Sequence, residues 1–248
     1  MGDWILLRGL CRESLHWGLF PRALTREFPG DKITALDLPG NGARFAEKSP
    51  LSVCEMVDRI RPRDGRKKHL LAISLGAMAA IDWASRVQDE AASLILINPS
   101  IASLSKPYER LRPLAWHAIA RAAFTTDAYE RERMILDLTS GSDVGLRAEA
   151  ARRALVHESH PISRANFVRQ ILAASRFRLP EKKPAVPILL LSSAADKLVS
   201  PSCSQALGRA WDLAPQVHPT GGHDLPFDDT AWIVAHVKAF LSLSSPFP

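Results

Sequence analysis

Six short apolar runs recur along this chain, separated by stretches in which apolar residues fall three or four positions apart. The runs are WILLRG (4–9), KITALDL (32–38), HLLAIS (69–74), ASLILINP (92–99), VPILLLSS (186–193) and APQVHPTGG (214–222). They predict strands or strand ends. Four are almost continuously apolar, as parallel strands covered on both faces must be. The intervening segments have helical spacing. SLHWGLFPRALTREF places Leu15, Leu19, Leu24 and Phe28 roughly on one side. SVCEMVDRI does the same for Val53, Met56, Val57 and Ile60, with Ser52 and Glu55 spaced as a capping box. WIVAHVKAFL (232–241) predicts a terminal helix. This alternation predicts a doubly wound α/β sheet with right-handed crossovers.

The alternation breaks once. From Pro99 to Pro180, about eighty residues carry no convincing strand but do carry helical patterns, including YERLRPLAWHAIARAAF and SRANFVRQILAASRF. Such a gap exceeds one ordinary crossover and predicts a helical insertion over one edge of the sheet. The chain then divides into a first core part (1–100), a helical lid (101–180) and a second core part (181–248).

Composition narrows the class. With 248 residues, 46% apolar and 23% charged, the chain is long enough for a substantial core and has no disordered bias. No uncharged apolar run approaches the roughly 20 residues of a membrane span. MGDWILLRGL has no positively charged leader and reads as structure from the start. Cys11, Cys54 and Cys203 are scattered and form no CxxC pair, which predicts free thiols and a reducing, cytoplasmic compartment. The charge is uneven: residues 101–180 hold 13 Lys and Arg against 8 Asp and Glu, so nearly all of the net +6 falls in the predicted lid.

Parallel strands end at a shared edge, where the loops leaving them gather. Ser74 sits there, between the strand HLLAI and the helix beginning LGAMAA. It could simply cap that helix. The small residues Ala72, Gly76, Ala77, Ala79 and Ala80 instead suit a tight strand-to-helix turn, with Gly76 letting the helix pass close to the sheet. A serine hydroxyl is a weak nucleophile and needs a base held by a third group. Two later strand ends supply them: Asp196 in AADKLVSP, and His223 after the glycines of VHPTGGHDLPF. The order Ser, Asp, His on successive strand ends favours the catalytic reading over a helix cap. Asp224 is the nearest rival acid, but beside His223 in sequence it reaches the ring poorly. The sharp turn at Gly9 points to the backbone N–H groups of Leu10 and Leu75 as an oxyanion hole.

The series LLRGL (6–10), DLPGNG (37–42), AISLG (72–76), LINPS (96–100), SSAADKLV (192–199) and GGHDLP (221–226) resembles the α/β-hydrolase superfamily. Within it, the series resembles the small bacterial carboxylesterases with a helical lid and is similar in outline to those cleaving the pimeloyl-acyl-carrier-protein methyl ester. The resemblance implies Ser74 as nucleophile, His223 as base, Asp196 as orienting acid, and Leu10 and Leu75 as oxyanion donors. It implies a mostly parallel sheet of about six strands, without the strand pair that opens many relatives. Two positions depart from the pattern: Ala72 replaces the first glycine of the nucleophile turn, and Arg8 replaces the histidine common before the oxyanion glycine. Asp37 reads as structural.

The expected activity is therefore carboxylic-ester hydrolysis through an acyl-enzyme, with thioester or lactone cleavage as neighbours. A noncatalytic binding module on the same fold is the alternative of another class. A serine at 74 disfavours the dehalogenases and epoxide hydrolases that use aspartate there. No metal or organic cofactor is called for: His157 and His160 belong to no ligand constellation, and no Walker-type or dinucleotide-binding glycine pattern occurs. Substrate choice falls to the lid, where Trp116, Phe124 and Phe167, with Arg8 from the core, are candidate substrate-binding residues. The lid arginines Arg147, Arg152, Arg153, Arg164, Arg169, Arg176 and Arg178 form either a solvated face or a dock for an acidic carrier or anionic substrate. Nucleic acid is disfavoured because the basic segment lacks a recognition motif.

Overall fold

All six apolar runs become strands of one sheet. A computed structural model describes residues 2–244, with strands β1 (Asp3–Leu7), β2 (Lys32–Leu36), β3 (Lys68–Ile73), β4 (Ala91–Ile97), β5 (Ile188–Ser193) and β6 (Gln216–His218). The order across the sheet is β2-β1-β3-β4-β5-β6, and every neighbouring pair is parallel. Among the described residues no antiparallel pair precedes β1. β6 is shorter than the run 214–222 predicts. Pro215 and Pro219 bracket it, and neither can donate to a ladder.

The helices, in chain order, are α1 (Phe20–Glu27), α2 (Val53–Ile60), α3 (Leu75–Arg86), α4 (Pro107–Arg110), α5 (Pro113–Phe124), α6 (Ala128–Thr139), α7 (Leu146–Ser159), α8 (Arg164–Arg176), α9 (Pro201–Trp211), α10 (Leu225–Asp228) and α11 (Thr230–Ser244). Alternate strand residues face opposite layers. Ile5, Leu7, Leu70, Leu94, Leu96 and Leu190 pack against α2, α3 and α9. Trp4, Leu6, Leu71, Ile73, Ile95 and Leu191 pack with α1 and α11. Burial on both faces explains the unbroken apolar runs.

Two local expectations need correction. Leu15 and Leu19 are exposed, while Trp17, Phe20 and Leu24 are buried. The predicted helix is interrupted: Ser14–Trp17 form a turn of 3-10 helix, Gly18 takes a positive φ of 56°, and α1 starts only at Phe20, so one periodicity does not run through. The capping box at α2 is half formed. Ser52 Oγ accepts from the Glu55 N–H at 3.2 Å, whereas the Glu55 carboxylate pairs with Arg59 at 2.6 Å.

Between β4 and β5 lie α4 to α8, and no strand occurs among them. The long pattern around YERLRPLAWHAIARAAF divides at Pro113, the first residue of α5. The inserted helices are tied to the core at several points. Arg112 N–H donates to the Leu198 carbonyl at 2.9 Å, and Gln170 Nε2 donates to Asn41 Oδ1 at 2.8 Å and Ser49 Oγ at 3.0 Å.

From β1 the chain moves to β2 on one side, then crosses to β3 on the other. The strand order thus reverses between β1 and β3, the place where open α/β sheets bind ligands, and the loops leaving these two strands carry Leu10 and Ser74.

Candidate active site

Ser74 occupies a strained position. Its φ of 56° and ψ of −118° lie where L-residues rarely sit, and its side chain makes no cap hydrogen bond to α3. The helix-cap reading therefore fails on geometry. Ser74 N–H instead donates to the Ile97 carbonyl at 3.0 Å, while its own carbonyl accepts from Ala77 N–H at 3.0 Å and begins the helix. Ser74 is half-buried, and among the described residues its hydroxyl has no hydrogen-bond partner. Small residues make the turn possible. Ala72 is fully buried, and a Cβ on Gly9 would stand 3.1 Å from Ser74 Cβ.

The loop after β1 thus lies against the serine. Arg12 N–H closes it onto the Gly9 carbonyl at 3.2 Å, and Cys11 takes a positive φ of 55°. The Cys11 amide is committed to Gln170 Oε1 of α8 at 3.0 Å. The amides of Leu10 and Leu75 have no hydrogen-bond partner among the described residues. For Leu75 this follows from its place at the start of α3, where N–H groups point out of the helix.

Asp196 and His223 meet on the same edge. His223 Nδ1 lies 2.7 Å from Asp196 Oδ2, with both residues buried. Asp196 Oδ1 accepts from the amides of Leu198 and Val199, 2.8 Å each, so the carboxylate is fixed by its own loop. Asn98, at the end of β4, anchors the histidine loop. Its Nδ2 donates to the His223 carbonyl at 3.0 Å and to Ser193 Oγ at 3.0 Å, and its Oδ1 accepts from Ser193 N–H at 2.9 Å. Ile97, beside Asn98, holds the Ser74 amide. One strand end therefore links the serine turn to the histidine loop. Nothing in the local sequence assigns Asn98 this role; only the 125-residue separation closed by the fold does.

Asp224 does not approach the ring of its neighbour as a rival acid. It accepts from Arg8 Nη1 and Nη2, 2.9 Å each, and from Arg153 Nη2 at 2.8 Å. Burial alone would raise its pKa, but Arg8 and Arg153 outweigh burial and hold the carboxyl well below the usual carboxylate range. Arg8, expected to face substrate, is 3% exposed and committed to Asp224. Arg153, expected on a basic surface, is 1% exposed and also binds Glu149 at 2.6 Å. Asp37 accepts from the amides of Ser14 at 2.6 Å and Ala43 at 2.9 Å, a loop-organising arrangement.

The lid candidates are dispersed. Trp116 is exposed on α5 with its Nε1 donating to the Leu111 carbonyl at 2.9 Å, and Phe124 is 75% exposed beneath the Arg164 guanidinium. Phe167 is half-buried on α8. Of the basic residues, Arg147, Arg164, Arg176 and Arg178 are exposed. Among the described residues, no cluster of His, Cys, Asp or Glu is placed to hold a metal ion, and no helix is long and apolar enough to cross a membrane.

The same architecture occurs in solved structures of low sequence identity. A bacterial membrane phospholipase A aligns over 99% of this chain and 80% of its own, at 20% identity and a TM-score of 0.75. The enol-lactonase of Burkholderia xenovorans aligns over 98% and 92%, at 18% identity and a TM-score of 0.74. A thermophilic esterase of Thermogutta terrifontis aligns over 98% and 90%, at 17% identity and a TM-score of 0.71. At these identities the likeness is one of fold. No curated protein matches the sequence. The sequence model of the alpha/beta hydrolase family, however, matches residues 4–236, nearly the whole chain, and this protein therefore belongs to that family.

Proposed function

We propose that this protein hydrolyses carboxylic esters through an acyl-enzyme, with Ser74 as nucleophile, His223 as general base and then acid, and Asp196 as the acid that orients the imidazole. The observation carrying this reading is the buried 2.7 Å contact between His223 Nδ1 and Asp196 Oδ2. It stands on the sheet edge where Ser74 holds a strained, uncapped turn. Binding Nδ1 to a fixed carboxylate leaves Nε2 as the nitrogen that handles the serine proton. Ser74 Oγ attacks the ester carbonyl carbon as His223 takes its proton. The tetrahedral oxyanion is met by the amides of Leu10 and Leu75, which have no competing partners. The C–O bond then breaks, the alcohol leaves with the proton from His223, and water attacks the acyl-enzyme by the same steps in reverse. Hydrogen bonds of this kind often tighten only when substrate binds, so an unpaired Ser74 hydroxyl is compatible with the role.

The helices of residues 101–180 act as the lid and set substrate choice. The exposed Arg147, Arg164, Arg176 and Arg178 support a substrate carrying negative charge, including an acyl group on an acidic carrier, as in the pimeloyl-acyl-carrier-protein methyl ester esterases that the motif series resembles. Thioesters and lactones fit the same chemistry. The three unpaired thiols suit a cytoplasmic setting.

Intact-mass measurement after fluorophosphonate treatment tests the nucleophile: one adduct is expected on the native chain and none on Ser74→Ala. A folded native protein that takes no adduct, even with its lid loosened by mutation, would leave a noncatalytic binding module. The charge reading is tested separately by Arg164→Glu combined with Arg176→Glu. Slower turnover of a carrier-bound or anionic ester at low salt, with a neutral ester unaffected, is expected, and equal rates on both would sink it.

A further inference from the structure

Three separately encoded parts of the site meet at Asp224. Arg8 lies two residues before Leu10, Asp224 follows His223, and Arg153 comes from α7 in the inserted layer. The three side chains are almost fully buried, and one carboxylate accepts from both guanidinium groups. Arg153 is itself aimed by Glu149, one turn earlier on α7, which takes its Nε at 2.6 Å. The main chain beside the imidazole is gripped from two directions. Asn98 holds the His223 carbonyl from the sheet at 3.0 Å, and the Thr139 carbonyl at the end of α6 accepts the Asp224 N–H at 2.8 Å. The inserted helices thus supply two anchors of the histidine loop, Arg153 and the Thr139 carbonyl.

Stability alone is a poor account of this cluster. Buried ion pairs lose so much solvation that apolar residues of similar volume often hold a fold equally well. What a forked guanidinium adds is direction: two parallel bonds fix the carboxylate in one orientation. We infer that Arg8, Asp224 and Arg153 form a positioning clamp through which a seated α7 sets the His223 loop in register with the Leu10 turn. Arg8 fixes the distance between the oxyanion side and the base side. Arg153 makes that register depend on the lid, so an unseated lid leaves base and oxyanion donors out of alignment and a closed one brings them together. Arg8 and Arg153 act through Asp224 and are positioning residues. The inference rests on the reading of His223 as the base.

Arg153→Met tests it, since this variant keeps much of the side-chain volume and leaves Asp224 neutralised by Arg8. Arg153→Lys restores the charge but puts one ammonium nitrogen in place of the two guanidinium nitrogens that reach Glu149 and Asp224 separately. Two measurements run on the same samples: hydrogen exchange by mass spectrometry, and kinetics with a small neutral ester alongside fluorophosphonate labelling. In Arg153→Met, exchange is expected to rise in residues 221–227 as well as in α7. The variant's kcat should fall roughly tenfold or more with KM moving less than about twofold, the mark of misplaced groups and not of lost binding. Arg153→Lys should recover part of the kcat. Exchange confined to α7 with kcat unchanged overturns the clamp, as does a loss seen only in KM or in melting temperature. If the native chain takes no label and turns over no ester, the hydrolase reading falls. The exchange measurement then decides alone whether Arg153 holds the histidine loop.

Discussion

Gly76, in the first turn of α3, passes so close to the end of β1 that a Cβ on it would lie 2.3 Å from the Leu7 carbonyl oxygen and 2.6 Å from that of Arg8. Both neighbours are backbone, so no rotamer change can make room. This approach brings the serine turn beside the Gly9 loop. Gly76→Ala should therefore lower stability by about 1–3 kcal/mol through overpacking and also abolish fluorophosphonate labelling. Denaturant midpoints check the first part; an unchanged midpoint would mean that β1 and α3 can separate freely.

Ser74 holds its positive φ without any side-chain cap bond to offset the strain. Glycine adopts that conformation freely. Ser74→Gly is expected to raise unfolding free energy by about 1 kcal/mol while removing all labelling. Loss of stability in this variant would show that the hydroxyl makes a stabilising contact and would weaken the view of the turn as strained for function.

Asp196 offers a split between two of its atoms. Asp196→Asn can keep the amide bonds to Leu198 and Val199 yet presents a neutral group to His223. Its kcat should fall by about 10³–10⁴ with little loss of stability. Asp196→Ala should add a stability cost of about 1–3 kcal/mol by stranding two buried amides. Equal activity in native and Asn variants would remove Asp196 from the mechanism.

The Asp224 carboxyl has its folded-state pKa depressed, because Arg8 and Arg153 outweigh its burial. Its contribution is thus complete above the unfolded-state pKa of about 4 and is lost as pH falls below that value. Asp224→Asn, which leaves the buried Arg8 without a carboxylate partner and Arg153 with Glu149 alone, should cost about 3–5 kcal/mol at neutral pH. Unfolding measured from pH 7 downward should show a constant gap to pH 5 that narrows only below about pH 4. A gap that closes between pH 7 and 5 would assign the effect to a histidine.

The three thiols differ sharply in environment. Burial pushes Cys11 up to about 12 and Cys203 up to about 11; Cys54 is also raised, by partial burial and the nearby Asp82 carboxylate, but it is the exposed thiol of the three. At pH 8, Ellman's reagent should react quickly with Cys54 alone in the folded protein, and with all three after denaturation. Rapid reaction at Cys11 would show that the Gly9 loop opens away from Gln170.

The centre of the sheet is legible from the residues alone because burial on both faces writes itself into β1, β3, β4 and β5 as nearly continuous apolar runs. The candidates Ser74, Asp196 and His223 are legible for a related reason: each follows a strand, and a parallel sheet gathers strand ends on one edge. Local pattern also signals the close packing at Gly76 and the helical character of residues 101–180. It fails where contacts join distant segments. Leu15 and Leu19 read as one side of a helix with Leu24 and Phe28, but the positive φ at Gly18 breaks that helix and both leucines are exposed. Arg8 and Arg153 read as a substrate contact and a surface charge, yet both close on Asp224, across 216 and 71 residues. Asn98 likewise gains its role only where β4 meets β5 and the histidine loop. A side chain's periodicity encodes which way it faces within its own element. Which partner it finds is decided by how elements cross in space, and for a buried charge the partner determines its role.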